Sequence, residues 1–188
     1  MTPLLPFLPL AGLGPPGLKY EAALITEAEE SALIARFIGL AFEPFDFRGF
    51  KGNRRTVSFG SSYDFTHGRM QPAEAIPAWL RPLRDRAAVF AGMRADALGQ
   101  AMVIDYPPGA GIGWHRDRPD YGQVVGVSLG SPAVLRLRRR TPTGWDRQAV
   151  PLAPRSAYLL DGAAREVWEH SIAPGAVQRY SVTFRTVR

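Results

Sequence analysis

Three histidines occur in this chain, His67, His115 and His170, and two of them lie in a region of short, strand-like runs. His115 belongs to Trp114-His115-Arg116-Asp117. In an extended segment residues two apart point to the same side, so His115 and Asp117 present an imidazole and a carboxylate together. His170 ends the run Glu166-Val167-Trp168-Glu169-His170. Two imidazoles and one carboxylate on one face are the ligand set of a non-haem Fe(II) site with open coordination positions. An H-x-D tripeptide is a weak signal by itself, and a surface ion pair beside a core histidine is the plainer alternative. His67 reads as a loop or supporting histidine rather than a ligand. With no cysteine in the chain, thiolate zinc sites, disulfides and a cysteine nucleophile are excluded.

The C-terminal run Arg179-Tyr-Ser-Val-Thr-Phe-Arg185 strengthens the first reading. As a strand it puts Arg179, Ser181, Thr183 and Arg185 on one face and Tyr180, Val182 and Phe184 on the other. Guanidiniums on a buried strand face require an anion, because an unpaired buried charge is costly. Arginine's planar fork matches a carboxylate in bidentate fashion. A small dicarboxylate spanning metal and arginine would meet both needs; an edge strand with solvated arginines is the alternative.

The ordered array His115-x-Asp117, His170 and Arg179-Tyr-x-x-Thr-Phe-Arg185 resembles the AlkB family of Fe(II)/2-oxoglutarate dioxygenases. The likeness runs over roughly residues 55 to 186 and includes Tyr106 in Asp105-Tyr-Pro-Pro-Gly109, Val127-Ser-Leu-Gly130 with Leu135-Arg-Leu137, and the approach Arg165-Glu-Val-Trp-Glu-His170. It implies a double-stranded β-helix, or jelly-roll, with iron on His115, Asp117 and His170. It also implies that Arg179 pairs with the distal carboxylate of 2-oxoglutarate, that Tyr106 hydrogen-bonds this cosubstrate, and that Arg185 orients cosubstrate and Asp117. The implied chemistry consumes O2 and 2-oxoglutarate, gives succinate and CO2, and hydroxylates a C–H bond; an N-methyl group so treated is lost as formaldehyde. Alkylated DNA or RNA, of the N1-methyladenine or N3-methylcytosine type, is the implied substrate class. The same oxygenase chemistry on a protein or small molecule, and a non-catalytic jelly-roll binding module, are the alternatives. Two positions depart from the family pattern: Ile104 stands where many members have asparagine, and Pro119 stands where repair members keep an acid, with Asp120 one position later.

Substrate contacts are expected from the segment at about residues 53–75. There Phe59, Tyr63 and Phe65 can either stack on a flipped base or close the core. Arg136, Arg138, Arg139, Arg140 and Arg147 form the densest basic stretch. It suits phosphate contacts or a solvated rim that protects a sheet edge.

These side chains need a scaffold, and the pattern supplies one in two halves. Thr26-Glu27-Ala28-Glu29 has capping-box spacing ahead of Leu33, Ile34, Phe37 and Ile38, which predicts a helix stopped at Gly39. A Phe- and Gly-rich link over 42–52 leads to a strand at 55–59, and a second helix is expected from about Pro77 to Met93. Short runs then recur at 101–106, 124–129, 134–138, 148–152, 157–160, 167–170 and 179–185, divided by Gly and Pro. Such spacing marks an all-β sandwich or barrel. The fold class is therefore α+β and β-rich, with N-terminal helices packed on one sheet and a single domain over 21–188; the resemblance implies that the core at about 100–188 is a jelly-roll. Residues 1–20, broken by five prolines, read as an extended arm and not as a signal peptide or membrane span. The chain has 188 residues, 46% of them hydrophobic and 21% charged, with a net charge of +6. It is long enough for one core and basic enough to favour a polyanionic partner. A cytoplasmic monomer with no membrane contact is expected.

Overall fold

The computed structural model of the chain describes residues 13–47, 50–64 and 67–188. In chain order its elements are β1 (Leu18–Glu21), α1 (Glu27–Phe37), β2 (Glu43–Phe47), β3 (Phe50–Phe59), β4 (Ser61–Asp64), β5 (Arg69–Pro72), α2 (Arg81–Ala91), β6 (Gln100–Tyr106), β7 (Ile112–His115), β8 (Tyr121–Leu129), β9 (Ala133–Thr141), β10 (Gly144–Leu152), β11 (Ala157–Leu160), α3 (Gly162–Glu166), β12 (Glu169–Ile172) and β13 (Arg179–Val187). A seven-stranded sheet ordered β1-β11-β8-β13-β6-β3-β2 faces a four-stranded sheet ordered β10-β9-β12-β7, and β4 and β5 make a separate hairpin.

Strand alternation assigns the layers. Along β8, Val125, Val127 and Leu129 turn to the helices, joined by Val182 and Phe184 of β13 and by Leu33, Phe37, Leu80 and Leu83 of the helical layer. The opposite faces look into the sandwich, where Val124 meets Leu135, Leu137, Val150, Leu152 and Trp168. Each central strand is therefore apolar on its helix side and carries polar groups inside the sandwich, where Ser128, Ser181, Thr183, Arg179 and Arg185 are all buried.

The ends of the helices follow from local chemistry. Thr26 accepts from the Glu29 amide while the Glu29 carboxylate accepts from the Thr26 amide, a complete capping box. Gly92 closes α2 in the left-handed region at φ 73°. That helix starts at Arg81 rather than near residue 77, because Pro82, with no N–H to donate, fits only the first turn. The 42–52 segment is a hairpin arm and not a link: β2 pairs with β3 at the sheet's edge, where Pro44 breaks no interior ladder. Leu18–Glu21 pair in register with Leu160–Ala157 of β11, so a boundary at residue 20 or 21 would cut through a strand of the sheet. The strand expected at 167–170 starts later, at Glu169, because α3 occupies the chain up to Glu166. No helix among the described residues is long and apolar enough to cross a membrane.

Candidate metal and cosubstrate site

β7 and β12 are paired so that His115 and His170 stand directly opposite each other, with a register shift on the way to the Ile112–Ile172 pair. The extra residue in β7 is a bulge of the kind that re-aims a side chain. The two imidazole rings are 4.3 Å apart. His115 Nε2 lies 3.5 Å and His170 Nε2 3.7 Å from Oδ1 of Asp117. One ligand atom from each of the three residues falls within 4.8 Å of the others, the arrangement a single ion requires. His115 Nδ1 is 2.9 Å from the Gly113 carbonyl. A carbonyl can only accept, so Nδ1 carries the proton and Nε2 keeps its lone pair for a metal.

Electrostatics keep Asp117 and His170 in ligand form. Burial pushes the Asp117 carboxyl up, but the Arg185 guanidinium and the two imidazoles outweigh it and hold the group well below the usual carboxylate range. Burial and the neighbouring His115 push His170 down to about 3, against the pull of Asp117. Arg185 donates from Nε to Asp117 Oδ2 at 2.7 Å, and its Nη1 donates to Gln100 Oε1 at 2.9 Å and Thr183 Oγ1 at 3.0 Å. Every one of these partners is inside the sandwich, so the carboxylate is fixed from behind.

The other end of the same strand face holds Arg179. It pairs across the ladder with Tyr106, and its guanidinium lies 4.8 Å from the centre of that ring. Its Nε and Nη2 both donate to Ser128 Oγ, at 3.2 and 3.1 Å. Its Nη1 is buried with no acceptor among the described residues. A buried cation with an open donor is satisfied by a carboxylate, and the array of two imidazoles and a carboxylate suits ferrous iron with open positions. The residues present therefore fit both Fe(II) and 2-oxoglutarate. Tyr158 completes this wall: burial raises its phenol, which feels the charge of Arg179. It stands opposite Gly126 in the β11–β8 ladder, where an added Cβ would sit 2.3 Å from its ring.

The candidates for substrate contact are divided. Phe59 is a core residue, buried at the edge of Trp79, because β3 turns it toward the helices, and it is not available to stack on a base. Phe65 lies outside the described residues. Tyr63 and Asp120 do come together, through Arg118, whose guanidinium lies 3.5 Å from the Tyr63 ring centre and 3.1 Å from Asp120 Oδ2. The β4–β5 hairpin is thus tied to the segment that follows Asp117. His67 pairs with Asp64 at 2.6 Å in that hairpin, far from a ligand role. Ile104 is buried with Tyr106 and Ala110, so an apolar contact stands where family members have an amide.

Four residues that sequence reasoning missed support the site: Ser128, Gln100, Tyr158 and Arg165. Buried Arg165 donates to the carbonyls of Gly122, Arg118 and Tyr121 at 2.8, 2.6 and 2.7 Å, pinning the loop after Asp117.

Comparison with known proteins agrees with this geometry. Residues 43–185 match the 2OG-Fe(II) oxygenase superfamily. The chain is 28% identical to "Alkylated DNA repair protein ALKBH8 homolog" of Arabidopsis thaliana over 188 aligned residues, covering 84% of this chain and 51% of the relative. It is 27% identical to "Probable RNA/DNA demethylase ALKBH6" of Danio rerio, covering 78% and 59%, and 34% identical to "Uncharacterized protein L905" of Acanthamoeba polyphaga mimivirus, covering 47% and 48%. The chain thus spans about half the length of these curated relatives. Its fold is that of two solved structures, OsALKBH1 (TM-score 0.66, 16% identity, 92% of this chain and 99% of that one) and a Pseudomonas putida prolyl-4-hydroxylase (0.62, 17%, 95% of each). With residues 43–185 matched in this way, the chain belongs to the 2OG-Fe(II) oxygenase superfamily, as an AlkB-family member.

Proposed function

We propose that this protein is an Fe(II)- and 2-oxoglutarate-dependent dioxygenase that removes methyl groups from alkylated bases of nucleic acid, of the N1-methyladenine or N3-methylcytosine type. The observation that carries the oxygenase reading is the convergence of His115, Asp117 and His170 beside the open Nη1 donor of Arg179. The printed names of two relatives, a repair protein homologue and an RNA/DNA demethylase, support the substrate class, and so does the net charge of +6.

His115, Asp117 and His170 would hold the iron, and Arg179, Ser128 and Tyr106 would receive the dicarboxylate. When bound, the pair supplies oxidative decarboxylation of 2-oxoglutarate by O2, to succinate and CO2, coupled to hydroxylation of a C–H bond. On an N-methyl group the product is a hydroxymethyl that breaks its C–N bond, leaving the unmodified base and formaldehyde. The protein's own work is positional. Arg185 fixes Asp117, the Gly113 carbonyl fixes His115, and the buried Arg179 would hold the distal carboxylate. Arg118, clamped between Tyr63 and Asp120, holds the hairpin beside the segment after Asp117.

The test is formaldehyde release from single-stranded oligonucleotides carrying either methylated base, with Asp117→Ala as the control and salt as the variable. Formaldehyde should appear with the parent chain only and should decline as salt rises, since phosphate contacts release counterions. Succinate formation without formaldehyde from any methylated oligonucleotide would refute the nucleic-acid substrate and point to a protein or small molecule.

A further inference from the structure

The reverse side of the strands that carry the two histidines bears a feature that the oxygenase site does not use. In β9, Leu135 and Leu137 are fully buried between the sheets, so Arg136, Arg138 and Arg140 project outward. Trp114 of β7 and Trp145 of β10 reach over the same face. The guanidinium of Arg138 lies 4.4 Å from one indole centre and 4.2 Å from the other. Arg136 lies 5.2 Å from the centre of Trp114, and Arg140 lies 5.3 Å from that of Trp145. Three guanidiniums and two indoles thus gather on one surface across β7, β9 and β10. Arg147, directly opposite Arg138 in the ladder, adds a further exposed cation.

Charge on this face is unbalanced. Glu169 pairs with Arg138 at 2.7 Å. Arg136, Arg140 and Arg147 make no ion pair among the described residues, and Nε of Arg136 is buried without an acceptor. Arg139, by contrast, points the other way and pairs with Asp146 at 3.0 Å beside Trp168, so it is no part of the face. Both indoles are partly exposed.

We infer that this outer face of the four-stranded sheet binds single-stranded nucleic acid, with bases stacked on Trp114 and Trp145 and phosphates paired with the unbalanced arginines. Part-exposed flat rings set among cations match a chain in which flat bases are joined by anions. A duplex keeps its base faces within its own stack and offers nothing to the indoles. An acidic peptide or an anionic membrane would answer the charge and leave the rings unused. Glu169 and Trp114 are chain neighbours of the ligands His170 and His115, and β7 is an edge strand. A strand that crosses the platform from β10 to β7 leaves it at the edge that carries His115. The inference deepens the substrate class proposed above and rests on it in that respect.

The experiment is fluorescence anisotropy of a labelled, unmethylated single-stranded oligonucleotide with the full chain, without 2-oxoglutarate, so that binding is read apart from turnover. Trp145→Ala should weaken binding about tenfold while Trp145→Phe keeps most of it. Arg140→Ala and Arg147→Ala, both at exposed positions that do not endanger the fold, should each reduce the slope of log affinity against log salt by about 0.7. Duplex of the same sequence, polyglutamate and anionic phospholipid vesicles should bind more weakly and be indifferent to Trp145→Ala. Parent-like single-strand binding by these variants, or equal binding of the other polyanions, would overturn the inference. Platform-dependent binding with no formaldehyde from methylated strands would uphold the platform and sink the demethylase; formaldehyde release with parent-like binding by every variant would do the reverse.

Discussion

Arg179 has a buried N–H that nothing in the described protein accepts, and this makes it the sharpest point of the account at the level of single residues. Arg179→Ala should raise the KM for 2-oxoglutarate at least tenfold, the least expected from losing a charge-assisted pair of about 1.5–3 kcal/mol. Succinate formation measured across cosubstrate concentrations checks it, and an unchanged KM contradicts the assigned role. His170 gives a second prediction. Its pKa falls from an unfolded value of 6.5 to about 3, and Asp117 also falls well below 3.8. In both cases the unfolded chain binds more protons, so stability is full above the unfolded values and drains away as pH falls toward 3. In chelator-treated protein the urea midpoint should decline between about pH 6.5 and 3, and His170→Gln should flatten that decline; an unaltered profile would refute a buried neutral imidazole. The candidate ligands were legible because a spacing of two sets His115 beside Asp117, and the two arginines because the same period puts Arg179 and Arg185 on one strand face. Ser128, Gln100 and Tyr158 were not legible, because a buried serine, amide or phenol carries no spacing of its own; only the pairing of β8, β6 and β11 with their neighbours brings them to the arginines.

At the scale of elements, the close approach of β11 to β8 depends on Gly126. Gly126→Ala pushes against the Tyr158 ring and should cost about 1–3 kcal/mol through overpacking. It should also weaken 2-oxoglutarate binding, because the displaced ring forms the wall next to Arg179; thermal unfolding together with the cosubstrate KM tests both parts. Thr26→Ala, which breaks the capping box of α1 far from the site, should cost about 1 kcal/mol, or roughly 2–4 °C in Tm for a domain of this size, and leave the cosubstrate KM alone. A KM change there would mean that the helical layer shapes the site more than its position suggests. The helix of the capping box was readable in the sequence because its cap and its apolar spacing agree. β2 was not, since Pro44 and the glycines signal a break, and only an edge position excuses them. β7 was hidden by its bulge, which spoils the alternation that would have announced a strand.

For the whole molecule, two sheets meet so that the three candidate ligands converge between them, and the outer surface of the smaller sheet holds a cluster of indoles and guanidiniums. An all-β sandwich or barrel was legible from short runs at regular intervals, and the jelly-roll from the family resemblance. The division of the basic stretch was not, because neighbouring arginines in a strand face opposite ways: Arg138 and Arg140 look outward while Arg139 turns back to Asp146. The claim on which the rest depends is that three distant side chains grip one ferrous ion with 2-oxoglutarate anchored beside it. Anaerobic addition of Fe(II) and 2-oxoglutarate tests this most directly, since their chelate on a protein gives a visible metal-to-ligand charge-transfer band without any knowledge of the substrate. The band should form with the parent chain, require at least tenfold more 2-oxoglutarate in Arg179→Ala, and be lost in the double variant His115→Ala/His170→Ala. A parent chain that gives no band, or a band that survives loss of both histidines unchanged, would contradict the account.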